Sequence, residues 1–265
     1  MTFKNILTSA FLLLLVPAGC TDTSQKPTSF SELTGLKIQD LKSPAAPLKF
    51  PKIIFDVVLF KMPSKKTDSI KTAFEPLKNN SINFTDRSAF ECNGLFAVRG
   101  LKKQSPMLTA TLASLNAKRF SRASIILFEQ KGELLPAGFS PAERYLLYTE
   151  NDGTERTIIT PPGQMAWQLQ AACNAFVRDL VHVRLMPVFN TPAGDEIANM
   201  AGLENTPKQT FPHQQITLDM RKGDFVLLAP NRLDERTTLN SLLFHTADDR
   251  TNVLVYVIIC TKTEN

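Results

Sequence analysis

The strongest block of hydrophobic patterning begins at Lys52. Ile53-Ile54-Phe55-Asp56-Val57-Val58-Leu59-Phe60 is a β-branched and aromatic run of strand length that stops at Met62-Pro63, and it predicts a buried strand. The spacing then changes. Ile70, Phe74 and Leu77 recur at i, i+4 and i+7 behind Asp68, which predicts an N-capped helix that Pro76 kinks or ends. Ala89 to Val98 reads as a second strand closed by Gly100. Ser105-Pro106 opens a second helix, with a capping hydroxyl and a proline at the first helical position, and Leu108, Leu112 and Leu115 form its apolar stripe. Ala123 to Phe128 returns to strand. This alternation predicts a small α/β module over residues 52–138, with helices on one side of a sheet.

Beyond Gly138 the period shortens to two. Tyr145–Thr149 and Thr157–Thr160 flank Asn151-Asp152-Gly153, a hairpin turn signal. Met165, Trp167, Leu169 and Ala171 alternate with Ala166, Gln168 and Gln170, and Val181, Val183 and Leu185 alternate with His182, Arg184 and Met186. These are two half-buried strands joined by a turn around Asn174. Ile216, Leu218 and Met220 alternate before Arg221-Lys222-Gly223-Asp224, and Phe225 to Ala229 follows. Val253 to Cys260 is apolar at nearly every position, so it belongs in the centre of a sheet or under cover on both faces. The fold class is therefore α+β: the α/β module of residues 52–138, followed by a mainly antiparallel β region over residues 139–265.

The first fifty residues follow neither period. Lys4, the run Ile6 to Val16, apolar apart from Thr8 and Ser9, and Pro17-Ala18-Gly19-Cys20 have the three parts of a secretory signal peptide over residues 1–19. That run is short for a permanent span, which needs roughly 20 apolar residues. Ala18-Gly19-Cys20 resembles the lipobox of bacterial lipoproteins, although Pro17 stands where that family usually has leucine. The resemblance implies cleavage before Cys20 and a lipid anchor on its sulfur. Thr21, rather than aspartate, follows the cysteine, which in that family implies outer-membrane sorting with the chain facing the periplasm. Residues 20–51, rich in Ser, Thr, Pro and Lys, then read as a lipidated tether, able to reach about 100 Å if extended and about 30 Å as a coil.

Charge and candidate chemistry narrow the function mainly by what they lack. The formal net charge of +5 favours anionic surfaces only weakly, and no dense basic run with interleaved aromatics points to nucleic acid. His182, His213 and His245 are isolated and lack zinc-ligand spacing. No nucleophile elbow, phosphate loop, dinucleotide fingerprint or paired-cysteine motif is present, so no catalytic residue, metal ligand or cofactor is assigned. Asp195-Glu196, Asp234-Glu235 and Asp248-Asp249 fall in expected connections, where they solvate turns. With Cys20 acylated, Cys92, Cys173 and Cys260 remain; an odd number gives no disulfide framework, and all three are expected as small buried side chains.

The C-terminal region resembles part of the secretin domain, the channel family of type II and III secretion and type IV pili. The likeness runs from Val181-His182-Val183-Arg184-Leu185-Met186-Pro187, through Gln215 to Leu228 with its glycine turn, to Leu242-Leu243-Phe244 and Val253 to Ile259. Ala229-Pro230 departs from the paired glycines of that family. The resemblance implies a hairpin across Gly223 and a non-enzymatic envelope lipoprotein, secretin-related or accessory to a secretion or pilus assembly. Its partners are then the membrane through Cys20, copies of itself, or secretion-machinery proteins. A second reading is a periplasmic hydrolase or ligand-binding lipoprotein whose site is built from loops at residues 130–144, 190–212 and 230–236.

Overall fold

The computed structural model describes residues 52–77, 80–128, 132–177, 179–191, 209–232, 236–245 and 251–264. Cys20 and the 20–51 segment lie outside these residues, as do the acidic pairs at 195–196, 234–235 and 248–249. The described residues belong to one compact unit, Lys49–Asn265. They form β1 (Lys52–Pro63), α1 (Ile70–Ala73), β2 (Asn83–Phe84), α2 (Arg87–Cys92), β3 (Leu95–Gly100), α3 (Ser105–Ser114) and β4 (Lys118–Phe128). Then follow β5 (Gly132–Ser140), β6 (Arg144–Thr149), β7 (Glu155–Thr160), β8 (Gly163–Cys173) and β9 (Val181–Asn190). The chain continues through β10 (Gln209–Thr210), β11 (Ile216–Met220), β12 (Phe225–Pro230), α4 (Leu239–Phe244) and β13 (Asn252–Glu264). The class is α+β and mainly antiparallel, as the sequence predicts.

Two sheets pack face to face. One has the order β3-β12-β13-β1-β4 and the other β2-β11-β9-β8-β5, with β10 beside β9. Their inner faces interlock Phe55, Tyr256 and Ile258 of the first with Trp167, Leu185 and Leu218 of the second. On the far side of the first sheet, Val58, Leu227 and Val255 meet Ile70, Phe74 and Leu77 and the Leu108, Leu112 and Leu115 stripe of α3. This unit is thus layered helices, sheet, sheet. This layering explains the two hydrophobic periods. In β13, Val253, Val255 and Val257 face the helices while Leu254, Tyr256 and Ile258 face the second sheet, so the run is unbroken. In β8 and β9 one face alone enters the core, so the pattern alternates.

Several expectations change on contact with the structure. The first sheet takes β1, β3 and β4 from before residue 138 and β12 and β13 from after it, so that position does not separate two sheets. Residues 87–92 are helix rather than strand, because Asp86 accepts the Ala89 N–H at 2.9 Å and caps α2; the strand starts only at Leu95. Asp68 is not a helix cap: it sits within a 3₁₀ turn, Ser64–Ser69, that follows Pro63. Residues 132–140, expected as loop, form β5, whose register shifts between Pro136 and Phe139. The hairpin expected across Gly223 is absent as a pair. β11 joins β9 in one sheet, whereas β12 joins β13 and β3 in the other. The turn instead crosses between layers, with Gly223 at φ +90° and Asp224 accepting the backbone N–H groups of Arg221 and Lys102.

Candidate functional site

A strand at the edge of a sheet leaves half its backbone N–H and C=O groups without strand partners, so each edge needs an account of what covers it. β2 is two residues long. β5 is interrupted by Pro136 and an irregular register, which blunts pairing. β3 is capped by side chains: Asn80 Nδ2 donates to the Arg99 carbonyl at 3.0 Å and Asn231 Nδ2 to the Leu95 carbonyl at 3.0 Å. β4 shares only the irregular register of β5: its pairing with β1 shifts between Leu59 and Phe60, which leaves Phe120 as an extra residue between Arg119 and Ser121. The strand is 11 residues long, pairs with β1 along one side, and contains neither proline nor glycine.

The outward surface of β4 is apolar and basic. Phe120, Ile126 and Phe128 are 54%, 53% and 45% exposed, values that mark large hydrophobic side chains left in solvent. The N-terminal half carries Lys118, Arg119 and Arg122, and the C-terminal half, Ser124 to Phe128, carries no charge. Lys61 lies over the Phe120 ring at 4.4 Å.

One buried carboxylate fastens this strand to its neighbour. Asp56 of β1 is 7% exposed. It accepts the Ser124 hydroxyl at 2.6 Å and a guanidinium nitrogen of Arg122, both from β4. The Ser124 hydrogen bond holds its carboxyl below the ordinary range; burial opposes this, and the Arg122 hydrogen bond and positive charge add to it. Asp56 is thus ionised at neutral pH and positions the edge.

A groove of about 380 Å³ runs beside β3, lined by Ile82, Phe84, Phe90, Phe96 and Val98, with Lys71, Arg87 and Glu91 at its rim. Its charges are partly satisfied internally. Lys71 pairs with Glu91 at 3.3 Å, and Arg87 stacks on Phe84 at 4.5 Å.

The residues weighed as chemistry are dispersed. His182 is exposed, and its Nδ1 lies 3.0 Å from Asp219 across β9 and β11. His213 and His245 are half-buried in separate elements. Among the described residues, no group of three or more His, Cys, Asp or Glu is placed to hold a metal ion. The cysteines are not alike, contrary to expectation: Cys92 is exposed at the end of α2, Cys173 is half-buried and Cys260 is buried. Burial, with the negative charge of Asp224 adding, pushes the Cys260 thiol up to about 11. Trp167 is fully buried against Phe244 and offers no surface platform.

Of the loops of the second reading, the first is mostly described and largely forms β5, whereas residues 192–208 of the second and 233–235 of the third lie outside the described residues. The sequence contained a signal for the edge in Lys118-Arg119-Phe120-Ser121-Arg122, where charge and aromatic mix without a clean inward face. Strand boundaries placed only on apolar residues passed over it. Protein-family models, curated proteins and solved structures give no match to this chain.

Proposed function

We propose that this chain is a non-enzymatic bacterial envelope lipoprotein, anchored through Cys20 in the outer membrane and accessory to a secretion or pilus assembly, that acts by joining strand edges. The observation that carries this reading is β4, a long open edge whose hydrophobic side chains stand in solvent. Such an edge is a template for a further strand, since main-chain hydrogen bonds supply affinity and alternate side chains supply selectivity. The secretin-like run supports an accessory role rather than a channel wall, because its Gly223 turn connects two sheets instead of closing a hairpin.

The anchor fits this role chemically. Each buried CH₂ contributes about 0.8 kcal/mol, so two or three acyl chains hold a protein on its membrane without a spanning helix. Among the described residues, no helix is long and apolar enough to cross a membrane.

The test combines address and assembly. Cells producing the full chain are fed a fatty-acid analogue, and the native protein should label while Cys20→Ala should not. The labelled protein should fractionate with the outer membrane and sediment as a complex larger than a monomer. Labelling of Cys20→Ala, or a strictly monomeric particle with no secretion-machinery partner, overturns the proposal.

A further inference from the structure

One end of the two-sheet unit gathers a loop tip, a cluster of cations and the point where the chain enters the fold. Cys173 pairs with Val181 and Val181 with Met220, so the 174–180 loop stands beside the turn Arg221–Asp224. Phe225, just after that turn, pairs with Gly100 and Ile259, and Lys52 pairs with Glu264. Lys102, Lys262 and the first residue of β1 therefore lie at this same end, and residues 20–51 join the folded unit there.

The loop is closed by its own hydrogen bonds yet leaves an apolar tip in water. Asn174 Oδ1 accepts the N–H groups of Phe176 and Val177 at 2.8 and 2.9 Å, and the Leu180 carbonyl accepts the Asn174 N–H at 2.8 Å. The backbone is satisfied locally, as in an Asx turn. Its side chains are not covered: Phe176 is 97% exposed, the highest value for a large hydrophobic among the described residues, and Val177 is 39% exposed.

The ground around this tip is cationic. Lys52, Lys102, Lys103, Arg221, Lys222 and Lys262 are exposed at this end, against Asp179, Asp219 and Glu133 as the exposed carboxylates whose side chains are described. Asp224 is buried and bound to Arg99 at 3.2 Å, so that pair adds no net charge. The segment Glu143–Thr160, near the Gly163 end of β8, has the opposite balance: Glu143, Glu150, Asp152 and Glu155 against Arg144 and Arg156.

We infer that the Phe176 end of this unit rests on an anionic phospholipid surface, with Phe176 and Val177 entering the headgroup–acyl boundary and the surrounding cations on the lipid phosphates. The inference uses the reading of residues 20–51 as a tether from a lipidated Cys20.

Three observations commit the surface to lipid. The apolar element is a projecting tip rather than a groove, and a fluid interface accepts it without a complementary pocket. Cations within a screening length of about 10 Å are drawn to anionic headgroups, which places charge and tip on the same plane. The tether enters at this end and, on that reading, terminates in acyl chains, so anchor and tip act as two signals on one membrane. In this pose β4, whose Phe128 pairs with Lys52, rises from the surface and keeps its edge open sideways.

Tryptophan quenching reads the contact in the full chain. Trp167, the native chain's single tryptophan, is fully buried and supplies a constant background. In vesicles of phosphatidylethanolamine and phosphatidylglycerol with brominated acyl chains, Phe176→Trp should be blue-shifted and quenched. Tyr145→Trp, exposed near the Gly163 end of β8, should not be quenched beyond that background. Replacing phosphatidylglycerol with phosphatidylcholine, or adding Lys103→Glu and Lys222→Glu to Phe176→Trp, should lower the docked fraction by about tenfold or more, because both remove the attraction between cations and anionic lipid.

No quenching of Phe176→Trp, equal quenching of Tyr145→Trp, or undiminished quenching after charge reversal or in phosphatidylcholine each overturn the inference. If Phe176→Trp is unquenched while Cys20 takes the lipid label, surface docking fails and the anchor reading stands. If Phe176→Trp is quenched in a chain that takes no label at Cys20, docking is supported and the anchor reading fails.

Discussion

Replacing Asp56 with asparagine tests how the open edge is held. In the native chain, one carboxylate oxygen accepts the Ser124 hydroxyl at 2.6 Å and the other accepts Arg122. Asparagine keeps the shape, and its single carbonyl oxygen serves one donor while the other meets an amide nitrogen. A hydrogen bond to a charged group contributes about 1.5–3 kcal/mol, against about 1 for a neutral one. Arg122 is 58% exposed, so solvent screens its share. The net loss at neutral pH is therefore about 1–2 kcal/mol. In a folded unit of roughly 150–250 residues, 1 kcal/mol moves the Tm by about 2–4 °C, so D56N should melt about 2–8 °C below the native chain.

The same substitution carries a pH signature. The folded-state pKa of Asp56 is lowered, first by Ser124 and then by Arg122, against burial. Its contribution is thus complete above the unfolded carboxyl value near about 3.9 and is lost as pH falls through the lower folded value. The Tm gap between native and D56N chains should be full at pH 7 and should narrow below about pH 4. Calorimetry at pH 7 and pH 3 measures both gaps, and hydrogen exchange should place the added opening in residues 118–128. An equal gap at both pH values, or none at pH 7, refutes the clamp.

Trp167→Ala empties the largest fully buried side chain between the sheets and should cost about 3–5 kcal/mol by denaturant midpoint; a loss under 1 kcal/mol would contradict its place in the core. Thr238→Ala removes the side-chain cap of α4, where Thr238 Oγ1 accepts the Ser241 N–H at 3.3 Å, and should cost about 0.5–2 kcal/mol in the same assay. Cys92 should react with a thiol reagent at pH 8 within the mixing period. Cys260, raised to about 11, holds about one thiolate in a thousand at that pH and should react only on unfolding. Faster modification of Cys260 than of Cys92 would reverse that assignment.

The hydrophobic period carried most of the architecture. β1, β8, β9 and β13 are legible because their partners cover one face or two, and that geometry is written directly as alternation or as an unbroken run. The helix over Leu108 and Leu112 is legible for the same reason, since a single stripe meets the sheet. Short-range capping was harder. Asp86 outweighs the strand propensity of Ala89 to Val98, and a cap of that kind is one residue against a run of apolar ones.

Long-range choices were not legible. Nothing in Arg221-Lys222-Gly223-Asp224 distinguishes a hairpin turn from a crossing between layers, because the local backbone serves both and tertiary pairing of Phe225 with Ile259 and Gly100 decides. The edge strand was half visible. Ala123 to Phe128 reads as strand, whereas Lys118 to Arg122 lies on solvent along nearly its whole surface and so lacks an inward period. An exposed edge carries little of the burial period that marks a core strand. That is why it escaped a reading built on burial.

The most direct test of the account is a photoactivated cross-linking amino acid placed at Ile126 and, separately, at Tyr145, in intact cells producing the full chain. Both positions are exposed, at 53% and 70%, but only Ile126 lies on the β4 edge. The account predicts strong, discrete adducts from Ile126 and none of comparable yield from Tyr145. No adduct from Ile126, or the same adducts in the same yield from both positions, would contradict the claim that this protein works through the open edge of β4.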